Sequence, residues 1–208
     1  LNRCIVFMDQ HPRIGSVTGL LIRVLSLTKD APRDTVDSYG INLSSTMRSA
    51  DAGAGMPVAK LTRFKKIMGV SAAAAVYRRS ALEDVSMGGH DVFDEDFFMY
   101  KEDVDLALRL QLRGWGAAAV PEARAYHIRT TDPALFKRPS MLINRWSYRN
   151  QWYILIKDVT TKQWICNGIF IVCFEALKFL YLLIFERSTL VVLGDVWRNR
   201  KKMFAKRA

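Results

Sequence analysis

Apolar and polar positions follow three successive rhythms along this chain. Residues 1–10 (LNRCIVFMDQ) place Ile5, Val6 and Met8 at helical spacing, and His11-Pro12 closes the segment. The chain thus opens, without Met, inside what reads as the end of an amphipathic helix, as a fragment of a longer protein would. Residues 15–23 (GSVTGLLIR) are short, apolar and β-branched, the pattern of a buried strand. Residues 29–56 are rich in Asp, Ser, Gly and Ala with little period, which predicts a long loop carrying one short strand at 39–43. The small apolar run 70–77 (VSAAAAVY) suits a strand or a buried helix, and the preceding Gly69 favours the strand. A short helix is expected over 80–85, and a longer one ends at Arg113, with Gly114 standing where a C′ glycine belongs. Two short strands, 115–120 and 123–127, flank a kink at Pro121. Strands alternating with helices predict an α/β sheet.

From Arg138 the pattern changes. Residues 142–157 are helical and rich in aromatics and Arg. Residues 164–185 are almost wholly apolar, broken by Asn167, Glu175 and Lys178. That length meets the threshold of roughly 20 residues for a membrane span. Glu175 and Lys178 share one helical face, however, so an interfacial or packed helix fits better than a spanning one, with a buried helix pair as the third reading. Two parts follow: an α/β part over 1–137, and a helical extension with a basic tail over 138–208. The formal charge of +11 calls for an anionic partner, and Arg198, Arg200, Lys201, Lys202, Lys206 and Arg207 crowd the C-terminus, which points to an anionic membrane surface. No nucleic-acid motif accompanies the charge, so nucleic acid is not an expected partner. Cys4, Cys166 and Cys173 have no C-x-x-C spacing and are odd in number, which favours a reducing compartment.

Candidate chemistry concentrates in residues 93–106 (FDEDFFMYKEDVDL), where carboxylates are interleaved with aromatics and lead into a helix. Glu102, Asp105 and Arg109 form one polar stripe on that helix. Asp105 and Arg109 read as a mildly stabilising i,i+4 pair, and acids in a first turn complement the helix dipole. Asp103 fits that reading less well, because its helical neighbours are Ala107 and the aromatic loop, where a carboxylate is costly without a task. Tyr100 is the aromatic best placed for a polar contact. Trp115 is either core or a flat platform for a sugar ring. His127 ends a strand, the rim where open α/β sheets bind ligands, and is either structural or a ligand to a hard divalent cation. Arg78 and Arg79 either grip phosphate or begin a solvated helix.

Several of these residues, taken together, resemble a known family. The pattern comprises Gly69-x-Ser71-x-Ala73, Tyr77-Arg78-Arg79-x-Ala81-Leu82, Phe93-Asp94-Glu95-x-Phe97-Phe98-x-Tyr100-x-Glu102-Asp103-x-Asp105-Leu106-x-x-Arg109, Gly114-Trp115, Val120-Pro121-x-Ala123 and His127. It is similar to the C-terminal half of family 2 glycosyltransferases, nearest to rhamnosyltransferase- and galactofuranosyltransferase-like enzymes. The resemblance covers roughly residues 12–129. Arg149-Asn150 and the helices after it look like the membrane-associated extension of the same group.

The resemblance implies a partial GT-A (Rossmann-like) mixed sheet with helices, followed by a C-terminal α-helical membrane-associated extension. It implies an inverting transferase, active in cell-surface polysaccharide synthesis, that moves a sugar from a nucleoside-diphosphate donor to a glycan or lipid-linked acceptor. Asp103, with Glu102 beside it, would be the general base, and Asp94, Glu95, Tyr100 and Trp115 would shape the acceptor site. A divalent cation, Mg or Mn, would be the cofactor, with His127 as one ligand. The expected location is the cytoplasmic face of the bacterial inner membrane, peripheral or monotopic. Three departures qualify this. The family's Asp-x-Asp motif and donor-binding half would lie before Leu1, so this chain alone is expected to be inactive. Residues 86–92 are longer than the usual Gly-Gly-Phe-Asp-Glu link. His127 is followed by Ile128-Arg129-Thr130-Thr131 rather than a Gly-Ser-rich turn. The alternative reading is a non-catalytic basic membrane-surface module or an inactive remnant.

Overall fold

The computed structural model describes residues 1–26, 34–61, 65–88, 91–128 and 141–207. The expected apolar strand is β1 (Ile14–Arg23), and it is buried along most of its length. A strand covered on both faces must also satisfy its backbone on both edges. On one edge it pairs in parallel with β7 (Gly116–His127). On the other, β2 (Val36–Ser38) pairs antiparallel near Leu21, and β6 (Ala75–Tyr77) pairs antiparallel over Ser16 to Thr18. β5 (Lys65–Ile67) extends the sheet beyond β7, and β3 (Ile41–Leu43) with β4 (Ser49–Asp51) forms a separate hairpin. The helix α1 (Asn2–Gln10) lays Cys4 and Met8 against Val17 and Val120. The result is a mixed α/β sheet, as the alternating pattern predicts.

Three local expectations change. The described part of the predicted loop 29–56 holds β2, β3 and β4, each only three residues long and too short to show a period; residues 27–33 lie outside the described residues. In the run 70–77 only Ala75–Tyr77 is strand. Residues 71–74 form a turn closed by Ala74 N–H on the Ser71 carbonyl at 3.2 Å. The two strands around Pro121 are one. Gly19 pairs with Val120 and Leu20 with Arg124, so residues 121–123 bulge where proline has no N–H to give the ladder.

After the short helix α2 (Arg79–Asp84), helix α3 (Glu102–Leu112) ends as expected. Gly114 takes φ +84°, its N–H bonds the Gln111 carbonyl at 2.9 Å, and Trp115 N–H bonds the Leu110 carbonyl at 3.0 Å. This paired closure is the Schellman motif. The approach of α3 to the preceding loop depends on Gly69, because a Cβ there would stand 2.3 Å from that of Ala107.

The C-terminal helices α4 (Met141–Lys157), α5 (Thr161–Phe185) and α6 (Val192–Ala205) pack onto this framework. One apolar cluster joins Ile41, Met47, Phe97, Val104 and Leu108 to Tyr153, Ile154, Ile171, Val196 and Met203. Helix α5 starts at a capping box between Thr160 and Gln163, and it turns only Ile171, Glu175 and Leu182 fully inward.

Inside this junction sits a network of charges. The Lys157 ammonium is 1% exposed and donates to Asp94 Oδ2 at 2.8 Å and to Asp105 Oδ1. Arg109 reaches Asp105 Oδ2 through Nε at 2.9 Å and Nη2 at 2.8 Å, and donates to the carbonyls of Val85 and Val92. The Asp105–Arg109 pair is therefore buried, and holds more than the mildly stabilising helical pair expected from its spacing. Lys206 adds a bond to Asp94 Oδ1 at 2.6 Å. Burial alone would raise the Asp94 carboxyl, but the Lys157 and Lys206 hydrogen bonds and the Lys157 charge outweigh it and hold the group below its ordinary range. Asp158 goes the other way. Burial, and then the Asp105 charge, push its carboxyl well above the ordinary value, and its Oδ2 has no hydrogen-bond partner.

Lys157→Met should lower the unfolding free energy at pH 7 by about 3–5 kcal/mol, because it removes the ammonium that two buried carboxylates share. The loss should shrink in acid as Asp94 is protonated; denaturant titration at pH 7 and in acid checks this. Asp158→Asn should have the opposite sign. Folded Asp158 keeps its proton above the pH where the unfolded group loses it, so the native chain binds the extra proton and stability falls as pH rises through that window. The Asn variant should match the parent at low pH and exceed it at neutral pH, read as Tm against pH.

Candidate active site

The first turn of α3 opens onto a cavity of about 350 Å³, lined by Ser49, Asp51, Ser71, Tyr100, Lys101 and Asp103, with Ser147 of α4. Asp103 stands half-buried on its wall. Its Oδ2 accepts from Ala72 N–H at 3.2 Å and its Oδ1 from Val104 N–H at 2.8 Å. The Ala72 contact needs the turn at 71–74 and the close approach of α3 over Gly69, so a strand through 70–77 would not have built it.

Burial raises the Asp103 carboxyl above its ordinary value, while the Ala72 and Val104 N–H groups and the Lys101 ammonium pull it partway back. Lys101 is pushed down to about 8, chiefly by burial and then by the nearby Arg48 charge, against the attraction of Asp103 and Glu175. Its Nζ donates to Ser49 Oγ at 3.0 Å. Glu102 lies behind the cavity, raised by burial, with Oε2 buried and unpartnered. Tyr77 is also raised, by burial and by the Asp103 and Glu102 charges, and its hydroxyl has no partner. A carboxylate with elevated proton affinity beside a cation of lowered affinity is an arrangement suited to moving protons near neutral pH.

The backbone leading into this turn is strained. Phe98, Tyr100 and Lys101 take φ of +58°, +66° and +68°. Non-glycine residues there cost on the order of 1–3 kcal/mol each and persist only where the surroundings hold them.

The other predicted site residues are dispersed. Of the acceptor candidates only Tyr100 lines the cavity. Asp94 is buried in the Lys157 and Lys206 network. Glu95 is exposed on the short turn Glu95–Phe97. Trp115 is half-buried against Ala81 and Leu110, and its indole N–H donates to Asp84 Oδ2 at 2.9 Å. Arg78 is half-buried and does not line the cavity; it donates to the carbonyls of Ile14, Met8 and His11 and pins α1 to β1.

His127 closes β7 at the sheet edge, away from this cavity's lining. Its Nδ1 lies 2.8 Å from Oδ2 of the buried Asp37, whose Oδ1 meets Arg23 Nε at 3.2 Å. An ionised carboxylate only accepts, so Nδ1 carries the proton and Nε2 is left as the ligand nitrogen. A carboxylate behind an imidazole is the usual support for a metal-binding histidine. Among the described residues no three His, Cys, Asp or Glu side chains cluster as a metal centre, so His127 fits the role of one ligand and no more.

Sequence reasoning missed Ser49, Asp51 and Ser147, which only tertiary folding brings to the cavity, whereas Ser71 is a quoted position of the motif. Lys101 was within reach, since it stands inside the quoted motif next to Glu102.

Two curated relatives match part of the chain. Both are N-acetylglucosaminyl-diphospho-decaprenol L-rhamnosyltransferases of Mycobacterium tuberculosis, from strains CDC 1551 / Oshkosh and ATCC 25618 / H37Rv. Each is 47% identical over 58 residues, which is 28% of this chain and 17% of the relative's length. The chain thus matches less than a fifth of the length of those relatives. A family pattern described as glycosyl transferase family group 2 matches residues 36–195, which takes in β2, the cavity with Asp103, and the helices through α5. The chain belongs to glycosyl transferase family group 2.

Proposed function

We propose that this chain carries the acceptor side of an inverting glycosyltransferase, with Asp103 as its general base. The observation that carries this reading is the half-buried Asp103 carboxylate on the cavity wall, held by Ala72 N–H and raised in proton affinity. An acceptor hydroxyl in the cavity gives its proton to Asp103 as its oxygen attacks the anomeric carbon of a nucleoside-diphosphate sugar. The bond from that carbon to the diphosphate breaks on the opposite face, and the leaving group departs with the electron pair. One well-placed base contributes typically a hundred- to ten-thousand-fold. Lys101 balances the Asp103 charge, and Tyr100 and the serines orient the hydroxyl. Asp94, Glu95 and Trp115 support the acceptor wall indirectly, and Glu102, its own carboxyl raised by burial and by the Asp103 charge, stands beside the base. A divalent cation, Mg or Mn, when bound supplies charge neutralisation to the leaving diphosphate, and His127 oriented by Asp37 offers one ligand to it.

The acceptor in this reading is lipid-linked, and the protein works on the cytoplasmic face of the bacterial inner membrane in polysaccharide synthesis. The rhamnosyltransferase relatives, named for a diphospho-decaprenol substrate, support this class. So does α5, the one helix among the described residues long and apolar enough to cross a membrane, with mean hydropathy 2.2. We place it in the interface rather than across the bilayer. Glu175 is buried and bonded to Arg48 of the β3–β4 turn at 2.6 Å, which straps α5 against the sheet domain. Its outer residues Ile165, Leu177, Ile184 and Phe185 stay exposed, and the basic α6 follows. A purely non-catalytic membrane module is the second reading; it accounts for α5 and α6 but gives Asp103 no task.

Asp103→Asn should reduce turnover by at least about a hundredfold while leaving acceptor binding intact. The parent enzyme should show a bell-shaped rate profile. Its acid limb lies above the ordinary aspartate value of about 3.9, where Asp103 must lose its proton. Its alkaline limb lies near pH 8, where Lys101 loses its charge. Unchanged turnover in Asp103→Asn would refute the assignment of the base.

Vesicles containing anionic lipid should retain the protein at low salt and release it as salt is raised. Leu177→Gln combined with Ile184→Gln should weaken retention by roughly tenfold or more, since both would otherwise bury apolar surface in lipid. Co-sedimentation reads both effects, and equal retention of the variant would refute the interfacial placement.

A further inference from the structure

The strained segment that delivers Asp103 is held by two adjacent residues of α4 that touch neither the cavity nor any reacting group. Asn150 is fully buried, and its Nδ2 lies 2.8, 2.8 and 2.7 Å from the carbonyl oxygens of Phe97, Met99 and Tyr100. One amide thus gathers three carbonyls of the segment that contains the left-handed Phe98, Tyr100 and Lys101. An amide group has two N–H bonds, so one of them is shared.

Which way the amide faces is fixed by its neighbour. Arg149 Nε donates to Asn150 Oδ1 at 2.9 Å, which turns the NH2 toward the carbonyls. The same guanidinium donates through Nη2 to the carbonyls of Asp96 at 2.7 Å and Phe97 at 3.0 Å. It also stacks over Trp146 and Tyr153, with its central carbon 4.2 and 5.0 Å from their ring centres. Five carbonyl contacts from two side chains therefore hold the backbone from Asp96 to Tyr100, directly before the left-handed Lys101 that caps α3. Buried carbonyls without donors are unfavourable, so the segment keeps this shape only while the donors stay.

We infer that Asn150, oriented by Arg149, is a positioning residue for Asp103: it holds residues 97–101 in the backbone shape that sets the first turn of α3 against Ala72. This rests on the reading of Asp103 as base, and it gives the helical extension a part in catalysis in addition to membrane contact. Without the amide, Phe98, Tyr100 and Lys101 relax toward ordinary backbone angles and the first turn of α3 shifts. The Asp103–Ala72 contact then opens, which alone would raise the carboxyl, but water reaches it and relieves burial, the larger effect, so the net shift is downward. The charged and titratable groups around Asp103 are Lys101 and Glu102 on its own element, Tyr77 from β6, and Asp51 across the cavity. None is altered by changing Asn150.

The test is the Asp103 titration, followed by carboxyl-carbon NMR in the full chain and assigned by its absence from the Asp103→Asn spectrum, together with transfer kinetics. In Asn150→Ala the Asp103 carboxyl should titrate at lower pH than in the parent, and the acid limb of the rate profile should move down with it. At the same time kcat should fall roughly ten- to a hundredfold with acceptor KM little changed. A role confined to stability would lower the folded fraction and leave the titration and the acid limb where they were; that outcome overturns the inference. Should Asn150→Ala fail to fold, Arg149→Lys keeps the charge but loses the fork, and the same shift is expected in smaller degree. An unmoved Asp103 titration in a folded Arg149→Lys also overturns it. Retained turnover in Asp103→Asn would instead remove the base assignment, while the titration still decides whether Asn150 places that carboxylate.

Discussion

An ammonium group withdrawn from water between two carboxylates must be matched closely by its partners, because the desolvation of each charge amounts to several kcal/mol. Lys157 meets that condition through Asp94 on the acidic segment and Asp105 on α3, while it itself terminates α4. Three stretches far apart in sequence are thereby fixed at one point. The entry and exit of the segment 94–105 are both tied to the same cation, and the intervening loop is constrained at both ends. The apolar cluster around Phe97, Tyr153 and Ile154 supplies bulk attraction between the same elements, but burial of apolar area is non-directional. The charge network adds register: a displaced α4 would take the shared ammonium away and leave Asp94 to Lys206 and Asp105 to Arg109 alone.

That constraint explains how the cavity can hold strained backbone. Left-handed angles at Phe98, Tyr100 and Lys101 oppose folding locally, and they are maintained by donors that arrive from α4. The strain has a geometric result: the chain reverses sharply enough that Tyr100, Lys101 and Asp103 all line one small cavity within four residues of sequence. A relaxed loop of the same length would spread them along an edge.

The sequence made some of this legible and not the rest, for identifiable reasons. β1 was readable because burial on both faces demands a continuous apolar run, and α3 because Gly114 ends a periodic segment in a conformation that other residues rarely adopt. β2, β3 and β4 were hidden because three residues carry no period and their pairing is decided by distant partners. Within the site, Asp103 stood out as a carboxylate with apolar helical neighbours. Asp94 belongs to the same motif, yet its surroundings are set by Lys157 and Lys206, from the other end of the chain, and no local pattern announces them. Asp105 and Arg109 show the same limit. Their spacing was correct, but only the packing tells an exposed pair from a buried one.

The helical extension has an inner and an outer side, and they face different demands. Helix α4 turns Arg149, Asn150, Tyr153 and Lys157 inward, where each meets polar partners, so these positions are constrained residue by residue. Helix α5 leaves most of its apolar residues uncovered, and only Ile171, Glu175 and Leu182 are fully buried, so composition matters there more than identity. The Arg48–Glu175 bond joins the uncovered helix to the turn between β3 and β4, which carries Ser49 and Asp51 into the cavity. A displacement of α5 would therefore act first on that turn, and through Ser49 on Lys101, before it reached Asp103. Asp103 is held independently of α5 by a second layer, the α4 clamp, whose contacts do not pass through α5.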